Sequence, residues 1–87
     1  MKYRSRTELA SNILEAANGG ATKTKIMYKA FLSYEQLKEY LAMLTNNGLV
    51  KRDVEGDLYR TTSKGIKFLE TSRLLGGLLE VHGTQQK

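Results

Sequence analysis

Lys23, Lys25, Lys38, Lys51, Arg52, Arg60 and Lys64 are the residues of this chain best suited to a chemical task, and that task is holding an anion. They fall at the joints between candidate elements: two open a short helix, one lies on the next helix, three lie on a hairpin and one begins the last helix. Ser33, Tyr34 and Gln36 join them at a helix N-terminus, where free amides and the positive end of the helix dipole suit a phosphate. Gln36 carries the donor and acceptor that pair with adenine, and Lys38 can donate to guanine or to a phosphate. Each feature also has a plainer reading. Lysine-bearing helix faces are commonly just solvated, and Glu35 and Glu39 share the outer face of Lys38, where carboxylates repel phosphates. Glu35 is spaced to pair with Lys38 at i, i+3. Asp53, Glu55 and Asp57 lie near the hairpin tip, which leaves the hairpin base as its better cationic surface. Lys2, Arg4 and Arg6 form a basic arm suited to non-specific contacts.

Bond-making chemistry finds little support. The one histidine, His82, lies near the C-terminus, so a histidine-based triad would have to be built there. There is no cysteine, which excludes disulfides and thiolate metal ligands. Gly19-Gly20 and Gly76-Gly77 lack the context of a phosphate loop. The sequence therefore predicts no enzyme, no cofactor, no metal and no small-molecule ligand. The net charge of +5 on 87 residues favours a polyanionic partner, and the 40% hydrophobic and 26% charged content is that of a single globular domain. The absence of a long apolar run or a signal-like core points to a cytoplasmic, nucleoid-associated location and to no membrane partner.

The elements that must position these cations are legible from caps and periodicity. Ser5-Arg6-Thr7-Glu8 is a capping box, followed by Leu9, Ile13, Leu14 and Ala17 at helical spacing and stopped at Asn18-Gly19-Gly20. Thr22 caps a second helix from about Lys23 to Ala30, with Ile26, Met27 and Ala30 inward. Ser33-Tyr34-Glu35-Gln36 is a second capping box, and Leu37, Tyr40, Leu41 and Leu44 form the buried stripe of the third helix. Lys38, Ala42 and Asn46 then point outward. Tyr40 and Tyr28 are expected in or near the core. After Asn46-Asn47-Gly48 the period changes. Residues 49–54 and 58–61 read as the strands of a hairpin, with Gly56 free to take positive φ in the turn. Thr62 caps a last helix reaching about His82, and residues 83–87 read as a disordered tail. The fold class is mainly α with a β-hairpin, in the order helix, helix, helix, hairpin, helix. The short gap between the second and third helices suits a helix-turn-helix, and the hairpin after it would be the wing.

Residues 23–30, Leu32-Ser33-Tyr34-Glu35-Gln36-Leu37, Tyr40-Leu41, Leu44 and Gly48-Leu49 resemble the small archaeal winged-helix DNA-binding proteins. Residues 59–65 resemble their link from wing to last helix, and the likeness covers about residues 7–70. The resemblance implies a winged helix-turn-helix whose third helix is the recognition helix, in a transcription regulator or chromatin-type protein. It also implies, in some members, dimers formed through a long C-terminal helix. Here that helix is shorter and holds Gly76-Gly77.

The resulting expectation is a DNA-binding domain over 1–70 and a helical extension over 71–82. Double-stranded DNA is the expected partner, with the third helix in the major groove and wing and basic residues on phosphates. Phe68, Thr71, Leu75, Leu78 and His82 step by three and four along one stripe of the last helix, broadened by Leu79, and are with it the expected homodimer interface, unless that stripe folds back on the first helix. Two alternatives stand beside this reading. One is a winged helix that contacts protein, favoured by Glu35, Glu39 and the acidic hairpin tip. The other is a membrane-surface module built on the leucine-rich last helix, which has few cations beyond Arg73.

Overall fold

A computed structural model describes residues 4–53, 55 and 57–85, with side chains described as far as residue 75. Its elements are α1 (Arg6–Ala17), α2 (Lys23–Ala30), α3 (Tyr34–Asn46), β1 (Val50–Asp53), β2 (Leu58–Thr61) and α4 (Ser63–Gln85). The element order is the expected one. No helix among the described residues is long and apolar enough to cross a membrane.

Local chemistry explains where the helices begin. The Ser5 hydroxyl accepts from the Glu8 amide while the Glu8 carboxylate accepts from the Ser5 amide, so two otherwise unpaired donors are satisfied. Ser33 and Gln36 repeat the arrangement at α3. Thr22 caps α2 through the Lys25 amide, and Thr62 caps α4 through the Gly65 amide. Helix α1 gives way to Gly19 and Gly20, both at positive φ, and α2 ends on Phe31 in the left-handed region.

Ile13, Leu14, Ile26, Leu37 and Leu44 are fully buried and form the centre of the core, each worth about 1.5–3 kcal/mol of transfer free energy. Val50 and Leu69 extend that core to the hairpin and to α4. The strands pair antiparallel, with Val50 opposite Thr61, Lys51 opposite Arg60, Arg52 opposite Tyr59 and Asp53 opposite Leu58. A further piece joins this sheet. Ala21 forms an isolated antiparallel bridge with Tyr59 through two backbone hydrogen bonds of 3.0 and 2.8 Å. A single bridging residue leaves no alternation in the sequence, so it carried no strand signal.

The link from β2 into α4 braces the molecule. Thr61 donates its hydroxyl to the Leu14 carbonyl at 2.6 Å, and Thr62 donates to the Gly48 carbonyl at 2.6 Å. The Thr62 amide reaches Leu49 O at 3.0 Å, and Lys64 Nζ reaches Asn47 O at 2.8 Å. Hairpin, α1 and the C-terminal end of α3 are thus tied together by side-chain-to-carbonyl contacts.

Several expectations need correction. Tyr28 is 72% exposed. It sits two residues, or 200° of helix, from buried Ile26, and therefore on the opposite face. Helix α4 continues to Gln85, so 83–85 are helical and not a disordered tail; residues 86–87 lie outside the described residues. Gly83 lowers helix propensity, but no proline is present to close the helix. Asp57 takes a positive φ of 54° in the turn, while Gly56, expected there, lies outside the described residues.

Candidate nucleic-acid interface

An open crevice of about 280 Å³ lies between the hairpin and α3. Leu41, Ala42 and Thr45 of α3 and Tyr59 of β2 line it, and Lys23, Lys38 and Arg52 bring three cations to it from three different elements. Asn46 completes its border. The strand alternation explains the hairpin's share. Arg52 and its cross-strand partner Tyr59 lie on one face, while Lys51, Asp53 and Arg60 lie on the other. Lys51, Asp53 and Arg60, with Arg52, border a second hollow of about 420 Å³.

Lys25, Ser33, Tyr34, Gln36 and Lys64, also expected site residues, do not line the crevice. Lys25 is exposed on α2 but 200° around the helix from Lys23 and away from the crevice. Lys29 borders a hollow with Asn12, Glu15 and Ala16 on the α1 side. Ser33 and Gln36 are engaged by each other. The Gln36 carbonyl oxygen lies 3.2 Å from the Ser33 amide, so the acceptor needed for a bidentate adenine contact is already committed to the cap. Tyr34 is exposed, and the Lys38 ammonium sits 5.4 Å from its ring centroid. That stacking takes the place of the Glu35–Lys38 pairing expected from spacing; the ion pairs among the described residues do not include it. Lys64 is a brace to Asn47 O before it is a ligand for anything else.

The arginines are occupied too. Arg52 pairs with Asp57 at 2.8 Å, and Arg60 bonds the Gly19 carbonyl at 2.9 Å while standing 3.9 Å from Asp53. The Arg52 hydrogen bond, aided by the charges of Arg52 and Lys23, holds the Asp57 carboxyl below the usual carboxylate range. The same hydrogen bond raises the Arg52 guanidinium above its ordinary value. Arg4, assigned by sequence to a free basic arm, is a structural clamp. Its guanidinium donates to the Asn12 side-chain oxygen at 2.9 Å and to the carbonyls of Ala30 and Phe31 at 2.6 and 2.7 Å, closing the C-terminus of α2. No local spacing signals such a contact, because its partners lie up to 27 residues away.

A family model for the winged helix-turn-helix matches residues 3–79. The chain belongs to the winged helix-turn-helix family. In winged-helix terms the hairpin is the wing, α3 is the second helix of the helix-turn-helix, and the crevice lies between them. Among solved structures, this winged helix is similar to Sso10a-2, a DNA-binding protein from Sulfolobus solfataricus. The TM-score is 0.88 at 22% identity, covering 95% of this chain and 90% of that one. It is also similar to the M. tuberculosis transcriptional regulator MosR, with a TM-score of 0.70 at 16% identity over 97% of this chain and 64% of that one. No curated protein sequence matches it.

The expected dimer stripe is divided by the winged-helix fold. Phe68 is half-buried and packs on the core of its own chain. It therefore serves the domain first and the stripe second. As far as Arg73, α4 lies along α1, with the Ser11 and Ser72 hydroxyls 3.2 Å apart and Arg73 2.8 Å from Glu15. Thr71 is exposed, and Leu74 and Leu75 are 66% and 56% exposed. Leu78, Leu79 and His82 lie outside the residues whose side chains are described.

Proposed function

We propose that this winged helix binds double-stranded DNA as a transcription regulator or chromatin-type factor. In this reading α3 enters the major groove, and the crevice cations and the wing meet phosphates on its flank. The observation that carries it is the convergence of Lys23, Lys38 and Arg52 from α2, α3 and β1 on one side of α3. The likeness to a DNA-binding protein and to a transcriptional regulator supports the same reading. The commitment of Gln36 and Ser33 to a cap leaves few base-reading groups on the first turn of α3, which favours backbone-dominated binding over tight sequence discrimination. The protein would then act on the nucleoid as a homodimer joined through the apolar part of α4 beyond Arg73, beginning at Leu74 and Leu75.

Fluorescence anisotropy on a mixed-sequence duplex across salt concentrations tests this. Three crevice cations and Lys51 meeting phosphates give a slope of log K against log salt of about −3 to −4. Replacing Lys23 and Lys38 together by alanine should flatten that slope by about 2 and weaken binding to all sequences alike. Unchanged affinity and slope in that variant would remove the crevice from the interface. A protein with no measurable DNA affinity at low salt would instead support a protein-binding winged helix, the reading favoured by the exposed Tyr28 and Phe31 beside the α2–α3 turn.

A further inference from the structure

The wing contains an anion of its own at the place where the DNA-binding reading puts a phosphate. The Asp57 carboxylate lies 2.8 Å from the Arg52 guanidinium, on the cation that β1 contributes to the crevice. Lys23, which α2 contributes to the same crevice, adds its charge in stabilising that carboxylate. The backbone of Asp57 is left-handed, at φ 54°, within the turn that returns the chain to β2. Asp57 and Arg52 are both well exposed, with side chains 73% and 54% accessible. An ion pair so open to water contributes little to folding. It is a poor staple and a readily exchanged contact.

We infer that Asp57 is an intramolecular stand-in for a DNA backbone phosphate, occupying a phosphodiester site on Arg52, at the border of the crevice that Arg52 shares with Lys23, and yielding it when DNA arrives. The inference rests on the DNA-binding reading and adds to it a defined phosphate site and a residue that limits its affinity. Binding at this site is an exchange of one protein-borne anion for one phosphate. Arg52 therefore releases fewer bulk counterions than a free cation would, and the displaced carboxylate stays close enough to repel the incoming strand. Acidity at the wing tip then tunes a surface whose cations are already in place, and does not argue against DNA contact.

Asp57→Asn tests this against Glu55→Gln, an equal charge change two residues away on an exposed side chain. Duplex affinity and salt slope are measured for wild type, both variants, Arg52→Gln and the Arg52→Gln/Asp57→Asn double variant, with circular dichroism to check that each is folded. Asp57→Asn should tighten binding about three- to tenfold and steepen the slope by up to about 1, while Glu55→Gln changes affinity less than about twofold. In the Arg52→Gln background the Asp57 effect should largely vanish. Equal effects of the two charge changes would reduce Asp57 to general repulsion and overturn the inference. So would an Asp57→Asn variant that binds no more tightly than wild type, or an effect that survives loss of Arg52. If neither wild type nor Asp57→Asn binds DNA, the functional reading fails and this inference falls with it. Binding by Asp57→Asn alone would support the exchange.

Discussion

Gly65 offers a test in which two physical effects predict opposite signs. It sits in the first turn of α4 and is buried. Helix propensity alone makes Gly65→Ala stabilising by up to about 1 kcal/mol. Packing says otherwise. A Cβ at residue 65 would run into the Leu49 carbonyl oxygen, well inside van der Waals contact, and would lie 2.6 Å from the Thr61 methyl. One neighbour is backbone and the other is a β-branched side chain pinned to Leu14 O, so neither can simply swing away. Overpacking of this kind costs about 1–3 kcal/mol. Displacing Leu49 O also weakens its hydrogen bond from the Thr62 amide, worth about 1 kcal/mol. Set against the propensity gain, the net loss is about 1–3 kcal/mol, or roughly 5–20 °C in Tm for a domain of this size. Urea unfolding with an unchanged m-value measures it directly. Gly19→Ala is the control, since its φ of +89° strains an alanine but nothing lies within 4 Å of the new Cβ. A Gly65→Ala protein as stable as wild type, or more so, would refute the tight seat of α4 against Leu49.

Arg4→Ala removes three hydrogen bonds that join the N-terminal segment to α1 and to the end of α2, and should lower stability by about 2 kcal/mol in denaturant unfolding. Arg6→Ala, at the exposed first residue of α1, should cost less than about 0.5 kcal/mol. Phe31→Gly relieves a left-handed backbone at a residue that is 82% exposed, so thermal unfolding should show a gain of up to about 1 kcal/mol. A loss there would reveal packing of the Phe31 ring that its exposure denies. Leu74→Ser with Leu75→Ser should leave the melting of the domain nearly unchanged while shifting sedimentation at micromolar concentration toward monomer, and an unaltered distribution would move the dimer contact elsewhere.

The parts of the fold readable in the sequence are those written in local chemistry. Ser5/Glu8 and Ser33/Gln36 fix two helix starts by reciprocal bonds spanning three residues, and the apolar stripes that follow them contain the fully buried Ile13, Leu14, Leu37 and Leu44. The change from a period of 3.6 to a period near 2 after Gly48 marks the wing. What the sequence does not display depends on residues far apart in the chain. The Arg4 clamp, the Ala21–Tyr59 bridge and the Thr61–Leu14 bond have no signature within any window of sequence. Aromatic character points Tyr28 inward, but its angle from buried Ile26 puts it on the solvent face. Gln36 shows a subtler limit. The same spacing that identifies it as a cap partner also engages its oxygen at the Ser33 amide, so base recognition by this side chain would compete with the cap.

Charge placement shows the same tension between structural and functional use. A net charge of +5 suggests a surplus of free cations, yet Arg4, Arg60 and Lys64 are bonded to carbonyls, and Arg52 and Arg73 to carboxylates. The cations left to meet a polyanion are mainly lysines, whose long side chains lose up to about 2 kcal/mol of rotamer entropy each on being fixed. Such a surface gains affinity chiefly from releasing counterions, so its strength should depend steeply on salt and weakly on sequence. The arginines contribute differently, because carbonyl and carboxylate bonds already restrain them. The bonds of Arg60 and Thr61 tie the wing to the Gly19 loop and to α1, and those of Thr62 and Lys64 tie the start of α4 to the end of α3, before any ligand arrives; the ordering cost of binding then falls mainly on lysine side chains. At the crevice, Arg52 combines restraint with an exchangeable partner, and for that reason DNA binding by the wing, in the proposed complex, should respond more to Asp57 than to the other acids of the hairpin tip.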